Sequence, residues 1–372
     1  MQLQIALLGG DGIGPEVVAQ AIKCLKAVED TFNHRFIYKK ALFGGAAMQK
    51  FGVPLPEQTL QLCKDSDAVL SGTIGLAKYN NDPNAKIRPE QGLLQLRKEL
   101  DLFANIRPVK MFSELIGHSP LRKDIVTGTD FVIFRELTGG IYFGEKKLSA
   151  DGTVASDLCE YSEYEISRIA HLAFKAAKKR RNKLTLVDKA NVLETSRLWR
   201  RVVTSIAQSY PEVSLECLYI DNAAVQLLLR PSSFDVILAD NMFGDMLSDQ
   251  GSVLIGSQGL LPSAAIGAQH SMFEPVHGSF LQAVGRNKAN PVASIFSAVM
   301  LLDHFGLKEE SNAVYGAIRK SFKKKIVTPD ILGSSKYGTD YVGDFIASQI
   351  TDSDDDQNIN EYNIGLGKST II

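Results

Sequence analysis

Short apolar or β-branched runs alternate with stretches of helical hydrophobic spacing along most of the chain. The runs predict strands, and apolar residues that recur every three or four positions predict amphipathic helices. The predicted strands are Leu3–Leu8, Phe36–Lys39, Ala68–Ser71, Phe103–Ile106, Leu184–Val187, Ser214–Tyr219 and Asp235–Ala239. The predicted helices are Pro15–Asp30, a segment near Glu90–Glu99, Tyr164–Arg180 and Glu194–Ser209. This alternation indicates an α/β fold in which much of the sheet is parallel.

Two segments depart from the alternation. Phe131–Phe134 and Ile141–Phe143, joined through Thr138-Gly139-Gly140, predict a β-hairpin. Residues 351–372 are acidic and then rich in asparagine, which is typical of a mobile terminus. Within that tail, residues 365–369 imitate the end of a P-loop, but the first glycine of the motif is absent and the chain ends before any helix. We therefore do not interpret the tail as a phosphate site.

Length and charge narrow the class of protein. A chain of 372 residues predicts two domains. A charged fraction of 22% and a net charge of −1 are typical of a soluble globular protein and argue against a nucleic-acid partner. No apolar run is long enough to span a membrane, and the first strand leaves no room for a signal peptide. The four cysteines (Cys24, Cys63, Cys159 and Cys217) are scattered, which favours reduced, largely structural thiols in a cytoplasmic protein.

The glycine-rich stretch between the first strand and the first helix resembles a nucleotide-binding loop. Gly10, Gly12 and Gly14 are spaced as GxGxG, whereas a Rossmann loop needs its third glycine one residue later. The acidic residues at a suitable distance, Glu29 and Asp30, end a helix face rather than a second strand. The spacing therefore favours a tight turn with positive φ angles over a Rossmann site.

The strongest chemical signal is a pair of carboxylates. If Asp245 and Asp249 lie near the start of a helix, they share a face and repel each other by a few tenths of a kcal/mol unless a cation lies between them. Two carboxylates with room for water suit Mg²⁺ or Mn²⁺, and the alternative is a solvated acidic face. Lys189 directly follows an apolar strand, where α/β folds place functional groups, although a surface ion pair is the alternative there.

Three arginines lie at the ends of predicted elements. Arg97, Arg107 and Arg135 would be able to bind both carboxylates of a small diacid through their forked donors. Taken alone, scattered arginines are more often surface ion pairs. The sequence motifs that surround these arginines favour the diacid-binding interpretation.

Seven motifs occur in an order that identifies a family. They are LLGGDGIGPEV, RPEQGLLQLRKELDLFANIRP, FRELTGGIYFGE, VDKANVLETSRLWR, YIDNAAVQLL, NMFGDMLSDQGS and FEPVHGS with ANP. This set resembles the isocitrate/isopropylmalate family of β-decarboxylating dehydrogenases over about residues 3–350. The resemblance implies a two-domain α/β fold with a mixed, largely parallel sheet that is not Rossmann. It also implies a large domain of residues 1–102 and 257–372 and a second domain of residues 103–256.

The resemblance also implies a role for each candidate residue. Tyr142 and Lys189 correspond to the proton donor after decarboxylation and to the group that helps remove the hydroxyl proton. The substrate-binding set is Arg97, Arg107, Arg135, Glu90, Leu93, Leu94, Val192 and Asp221. The metal set for Mg²⁺ or Mn²⁺ is Asp221, Asp245 and Asp249. Because lysine and the first aspartate reach in from the second subunit in this family, a homodimer with shared active sites is implied.

The cofactor implied is NAD, held mainly by the large domain. Its expected contacts are Ile13, Thr73, Ile74, Glu274, His277, Gly278, Ser279, Gln282 and Asn290. Here the chain departs from the family, because Gln282 replaces an aspartate that accepts hydrogen bonds from the adenosine ribose. A neutral amide does not repel a 2′-phosphate, and Arg286 would attract one. We therefore predict that NAD is preferred, with weaker discrimination than an aspartate gives.

The expected reaction is oxidative decarboxylation of a 3-substituted malate. Glu90, Leu93, Leu94 and Arg97 follow helical spacing and share one face. With Val192, the first three would form an isopropyl pocket, in which the third carboxylate of isocitrate would be desolvated. The implied activity is therefore that of the leucine-pathway isopropylmalate members. A D-malate or tartrate dehydrogenase of the same fold and a non-catalytic regulatory subunit are the alternatives.

Overall fold

The computed structural model describes residues 1–80, 82 and 85–351. The strands in these ranges are β1 (Gln2–Leu8), β2 (Arg35–Ala41), β3 (Ala68–Ser71), β4 (Ala104–Lys110), β5 (Asp130–Glu136), β6 (Lys146–Leu148), β7 (Ala155–Asp157), β8 (Lys183–Asp188), β9 (Ser214–Tyr219), β10 (Val236–Ala239), β11 (Pro262–Ile266) and β12 (Ser271–Pro275). The tail from residue 352, with its P-loop-like stretch, lies outside the described residues.

Helices cover most of the rest of the described chain. They are α1 (Gly14–Phe32), α2 (Gly45–Phe51), α3 (Glu57–Lys64), α4 (Ala77–Asn80), α5 (Pro89–Glu99), α6 (Lys123–Val126), α7 (Glu163–Lys178), α8 (Glu194–Ala207), α9 (Ile220–Leu229), α10 (Asn241–Leu254), α11 (Val292–His304), α12 (Lys308–Lys323) and α13 (Thr339–Ser348). In this part of the chain, no helix combines the length and the apolar character needed to cross a membrane.

Ten of the described strands form one sheet in the order β2-β1-β3-β12-β11-β4-β5-β10-β8-β9. The first four strands in this order are parallel to one another, and so are the last four. Antiparallel pairings of β12 with β11, β11 with β4 and β4 with β5 join the two parallel blocks. The α/β fold with a mixed, largely parallel sheet is therefore confirmed. The predicted domain division would fall between β11 and β4, and it stays a prediction.

The core lies between this sheet and its helices. Helix α11 is buried along its whole length, because it packs on β11 and β12 between α1 and α12. Its residues are accordingly apolar or small nearly all round, as expected of a central helix. Amphipathic helices such as α7 and α8 instead bury one face and expose the other.

Most of the predicted elements are confirmed, with small shifts at their ends. β3 and β9 have the predicted bounds, whereas β4 runs beyond the predicted end through Pro108 to Lys110. Pro108 pairs with Val132, whose N–H donates to Asp235 on the other side of β5 at 2.9 Å. Val132 therefore forms its backbone hydrogen bonds on the side of β5 away from Pro108, and the lack of an N–H in proline breaks no hydrogen bond between β4 and β5.

The predicted hairpin is wrong. Residues 140–142 form a 3-10 turn, and β5 pairs with β4 and β10 instead. A Cβ at Gly140, whose φ is 74°, would lie 2.2 Å from the hydroxyl of Tyr161. The two glycines are thus required for close packing against Tyr161 rather than for a hairpin turn. The two-stranded antiparallel unit forms further along the chain, from β6 and β7.

The opening glycine stretch is a tight turn, as the spacing predicted. Gly10 and Gly12 have φ angles of 71° and 60°, and a Cβ at either would collide with the backbone of Thr73 or Ser279. The Asp11 carboxylate accepts hydrogen bonds from backbone N–H groups of residues 45, 46 and 75, which ties the turn to two further loops. The stretch therefore holds loops together at the carboxyl end of β1.

The four cysteines are all free thiols in the structure, as expected. Cys24 and Cys63 are buried, whereas Cys159 and Cys217 are half-buried. Burial raises the pKa of Cys63 to about 12, so this thiol stays protonated. These environments fit structural rather than reactive cysteines.

Candidate active site

The parallel strands β5, β8, β9 and β10 all end at one edge of the sheet, and several of the predicted site residues follow these ends. Arg135 lies near the end of β5, Lys189 directly follows β8, and Asp221 is the second residue of α9, which follows β9. Helix α10 starts after β10 and carries Asp245 and Asp249 on one face, as predicted.

Three arginines meet in a buried group. The side chains of Arg97, Arg107 and Arg135 are 8%, 7% and 2% exposed. Burial and the neighbouring charge of Arg107 lower the pKa of Arg135 to about 9, and burial also lowers the pKa of Arg107, close to Arg97. So much buried positive charge is costly without anions, which favours a dianionic ligand over a set of surface ion pairs.

Asp245 connects the arginines to Tyr142. Its Oδ1 accepts hydrogen bonds from Arg135 Nη1 at 2.5 Å and from Arg107 Nη1 at 3.1 Å, and its Oδ2 accepts one from Tyr142 Oη at 3.2 Å. Burial opposes its charge, but the arginines outweigh burial and hold the pKa of Asp245 below its ordinary value. Burial and the Asp245 charge raise the pKa of Tyr142, so its phenol keeps its proton.

Lys189 and Asp221 form a separate ion pair. Lys189 Nζ donates to Asp221 Oδ1 at 2.6 Å, and this hydrogen bond lowers the pKa of Asp221. The side chains are 28% and 67% exposed, far more than the arginines. In the described part of the chain, neither residue forms an ion pair with the arginine group or with Asp245.

The three predicted metal ligands do not meet within one chain. No cluster of three or more histidine, cysteine or acidic side chains suited to a metal exists among the described residues. Burial and the charge of Asp245 raise the pKa of Asp249, which has no ion-pair partner in the same part of the chain. Asp245 and Asp249 thus offer two oxygen ligands, and the third predicted ligand, Asp221, lies with Lys189 instead.

Helix α5 carries four residues of the predicted substrate site. Glu90, Leu93 and Leu94 are half-buried, and Leu93 also packs against the second hydrophobic cluster of the core. Arg97 Nη2 donates to Glu274 Oε1 at 3.0 Å. Arg97 Nε and Glu90 Oε2 are buried without hydrogen-bond partners among the described residues. Such unpaired buried atoms favour a ligand that binds there.

Three loops meet at the predicted cofactor site. Ile13 N donates to Ser279 O at 3.0 Å, and Thr73 Oγ1 donates to Asp11 O at 2.8 Å. His277 Nε2 is buried and has no hydrogen-bond partner in the described ranges, which leaves it available to a ligand. Ile74 follows Thr73 and is half-buried, and Gly278, exposed in the third loop, follows His277.

The remaining predicted cofactor residues are Gln282, Asn290 and Glu274. Gln282 is the exposed residue of the 3-10 turn Leu281–Ala283, and Arg286, four positions later, is also exposed. Asn290 Nδ2 donates to Asp330 Oδ2 at 3.0 Å, and Glu274 is paired with Arg97. These positions stay predicted cofactor contacts.

Sequence reasoning missed several residues that hold the arginines. Arg107 donates to Asn105 Oδ1 at 2.6 Å and to Ser248 Oγ at 2.5 Å. Arg135 donates to Asn241 Oδ1 at 2.8 Å. Asn105 precedes Arg107 by two positions on one strand, and this same-face spacing was the available signal. Asn241 and Ser248 approach these arginines only through the packing of α10 on β5 and β4.

The fold and the site together define an α/β protein with three buried arginines gathered beside Asp245. The chain belongs to the isocitrate/isopropylmalate dehydrogenase family, whose model matches residues 4–346. It is 48% identical over 352 residues to a 3-isopropylmalate dehydrogenase of Bacteroides fragilis, covering 94% of this chain and 99% of that protein. It is 50% identical over 336 residues to one of Geobacillus kaustophilus, covering 89% of this chain and 90% of that protein.

Solved structures agree with the family. An isocitrate dehydrogenase from Methylococcus capsulatus superposes with a TM-score of 0.86 at 31% identity, covering 94% of this chain and 99% of that chain. A beta-decarboxylating dehydrogenase from Thermococcus kodakarensis gives a TM-score of 0.76 at 35% identity, covering 94% and 96% of the two chains. The non-Rossmann fold implied by the motifs is thereby confirmed.

Proposed function

We propose that this protein oxidatively decarboxylates (2R,3S)-3-isopropylmalate to 4-methyl-2-oxopentanoate and CO₂ with reduction of NAD⁺, a step of leucine biosynthesis. The observation that carries the proposal is the buried group of Arg97, Arg107 and Arg135 beside Asp245 and Tyr142. In the described ranges, these three buried guanidinium groups form ion pairs with two acids, Asp245 and Glu274, and their remaining donors suit the two carboxylates of a malate derivative. The names of the bacterial relatives support the same substrate.

The residue types support each proton transfer. Lys189, as the neutral amine left after its partly exposed Nζ loses a proton to water, takes up the hydroxyl proton at C2 as the C2 hydride leaves with its electron pair, which gives the 2-oxo acid. The bond from C3 to its carboxylate then breaks, CO₂ departs, and the electron pair stays on the substrate as an enolate. Tyr142, whose raised pKa keeps it protonated, donates the proton that C3 needs. The arginines hold the carboxylates throughout.

The donor set fits a divalent metal and a nicotinamide cofactor. Asp221, Asp245 and Asp249 would hold Mg²⁺ or Mn²⁺, since carboxylate oxygens are the ligands that these ions prefer. When bound, the metal would act as a Lewis acid that stabilises negative charge on the substrate oxygen, and NAD⁺ would be the hydride acceptor. The unpaired buried Nε2 of His277 supports a ligand at the cofactor loops.

The pocket on α5 favours an apolar substituent at C3. Leu93 and Leu94 share a half-buried face with Glu90 and Arg97. A third carboxylate placed against the leucines would lose its water without gaining a partner. This argues for the isopropyl group over the carboxymethyl group of isocitrate.

A direct comparison of substrates tests the proposal. With Mg²⁺ and NAD⁺, the kcat/KM for 3-isopropylmalate should exceed that for D-malate by at least about 10-fold, because each buried CH₂ contributes about 0.8 kcal/mol. Equal or greater activity toward D-malate or tartrate would favour the alternative dehydrogenase of the same fold. No activity with any of the three would favour the non-catalytic alternative.

We further propose that the active protein is a homodimer with shared sites. Helices α9 and α10 pack together and expose Val225 at 52%, Leu229 at 58%, Met246 at 58% and Val253 at 45%. A cluster of exposed apolar side chains next to functional groups is typical of a protein interface. A second copy bound to this face would bring its own Lys189–Asp221 pair next to Asp245 and Asp249 of the first copy.

Disrupting this apolar face should separate the dimer and remove activity. Val225→Arg places a charge where the partner would bury it, so sedimentation velocity should show monomers and turnover should fall about 100-fold or more. Tyr341→Arg, on the exposed part of α13, is the control and should stay dimeric and active. An active monomeric Val225→Arg protein would contradict the shared site.

Cofactor choice should respond to charge at Gln282. Gln282→Asp should raise the preference for NAD⁺ over NADP⁺ about 10-fold, since a carboxylate repels the 2′-phosphate by about 1–2 kcal/mol near the surface. Gln282→Asn, which stays neutral, should leave the ratio of the two kcat/KM values unchanged. A clear NADP⁺ preference in the wild-type protein would show that Arg286 governs the site.

A cytoplasmic location belongs to the same proposal. The four unpaired cysteines support a reducing compartment. The expected partners are therefore the small substrate and a second copy of the chain, with no nucleic acid and no membrane.

A further inference from the structure

Arg200 lies on α8, away from the arginine group, and joins the ends of two strands. Its Nε donates to Asp188 Oδ2 at 2.8 Å and its Nη2 donates to Asp188 Oδ1 at 2.7 Å. Its Cζ also lies 5.1 Å from the ring centre of Tyr219. Asp188 and Tyr219 are direct neighbours in the pairing of β8 with β9. One guanidinium therefore contacts the last residue of both strands.

Each of these strand ends carries a proposed functional group. Asp188 immediately precedes Lys189, and Tyr219 stands two residues before Asp221. The turn after β8 is held by two more hydrogen bonds, from Ala190 N to Asp188 Oδ1 at 3.0 Å and from Lys189 N to Ser196 Oγ at 3.0 Å. The two residues of the Lys189–Asp221 ion pair thus closely follow the two strand ends that Arg200 joins.

The chemistry of this contact requires arginine. The Asp188 side chain is 2% exposed, so its charge depends on a partner that satisfies both oxygens. A planar guanidinium forms the bidentate pair and at the same time lies over an aromatic ring. A lysine ammonium has no fork that matches both carboxylate oxygens and would hold the strand ends less rigidly.

We propose that Arg200 is a positioning residue that fixes the end of β8 relative to the end of β9, so that Lys189 and Asp221 enter the other subunit's site as one unit. The contacts of Arg200 with Asp188 and Tyr219 are observed in the structure. The catalytic consequence rests on the proposed function. Arg200 itself touches no substrate.

Hydrogen exchange tests the positioning without any activity. In the full-length protein, Arg200→Gln should speed backbone amide exchange about 10-fold in peptides covering both residues 187–193 and residues 217–224, which corresponds to a loss of about 1.4 kcal/mol of local stability. The matched control is Arg201→Gln. It removes only the exposed ion pair between Arg201 and Glu163, so the exchange rates of both segments should stay unchanged. Faster exchange in one segment alone, or in neither, would overturn the proposal.

Kinetics then test the catalytic consequence. Arg200→Gln should lower kcat about 10- to 100-fold, the cost expected of a small misplacement of a catalytic group. KM for 3-isopropylmalate should stay within about 3-fold, because the arginines that bind the substrate are on other elements. Arg200→Lys should recover part of kcat, since it keeps the charge beside Asp188.

The outcomes separate this inference from the proposed function. A wild-type protein without activity on 3-isopropylmalate refutes the proposed function, and the exchange result still decides whether Arg200 joins the two strand ends. An active wild type whose Arg200→Gln variant keeps normal kcat, or loses kcat only as much as Arg201→Gln does, refutes the positioning role.

Discussion

Replacing Lys189 by methionine is expected to lower kcat by about 10²–10⁴-fold, the range typical of a lost general base. Methionine keeps the length and the apolar stem of the side chain but has no amine to take up the hydroxyl proton. Because this proton leaves as hydride leaves C2, NADH formation should be slow even in the first turnover. A rapid-mixing experiment with excess enzyme measures that step directly.

The matched control is Lys183→Met on the same strand. Lys183 pairs with Glu216 at 3.1 Å at the opposite end of β8, so its loss should leave the first turnover unchanged. A Lys189→Met protein that forms NADH at the wild-type rate would show that Lys189 is not the base. The sedimentation of both variants should match the wild type, which excludes an effect on assembly.

Replacing Tyr142 by phenylalanine should also lower turnover by about 10²–10⁴-fold, but at a later step. The phenol acts after CO₂ has left, so NADH should still form in the first turnover while release of protonated product lags. The ring that packs 5.6 Å from the Arg135 guanidinium stays in place, and only the hydroxyl near Asp245 is removed.

Two results would contradict this assignment. One is steady-state turnover that stays near the wild-type value, and the other is a first turnover slowed as much as in Lys189→Met. Tyr164→Phe provides the control, because Tyr164 is 70% exposed on α7. It removes a hydroxyl of the same kind from the surface.

The sheet was predictable where the information is local. Strands buried on both faces, such as β3, are continuous apolar runs, and their bounds follow from the runs alone. The placement of Lys189 and Arg135 at strand ends was equally accessible, because parallel strands bring their carboxyl ends to one edge. The spacing of Asp245 and Asp249 placed both on one face as soon as α10 was assumed.

Contacts between distant segments were not predictable from spacing. Glu274 binds Arg97 across 177 positions of sequence, and nothing around Glu274 marks it as a partner for an arginine. The predicted hairpin failed for the same reason. Its two glycines are required by the ring of Tyr161, which arrives from a later segment.

The relation between the two halves of the site also depends on packing. From sequence, Asp221, Asp245 and Asp249 came together only through the family resemblance. In the structure, Asp221 lies with Lys189, because β8 and β9 are neighbours and their ends lie side by side. The role of Arg200 was not predictable from sequence, because its contacts, Asp188 and Tyr219, lie on two different strands.

The most direct test asks whether one active site is built from two chains. Lys189→Met and Tyr142→Phe are each expected to be nearly inactive with 3-isopropylmalate and NAD⁺, but each retains the group that the other lacks. When the two are mixed, unfolded and refolded together, half of the dimers should be mixed, and each should contain one intact site of its two. We therefore expect turnover to recover to about one quarter of the wild-type rate. A mixture that stays as inactive as its two components would contradict an active site shared between subunits.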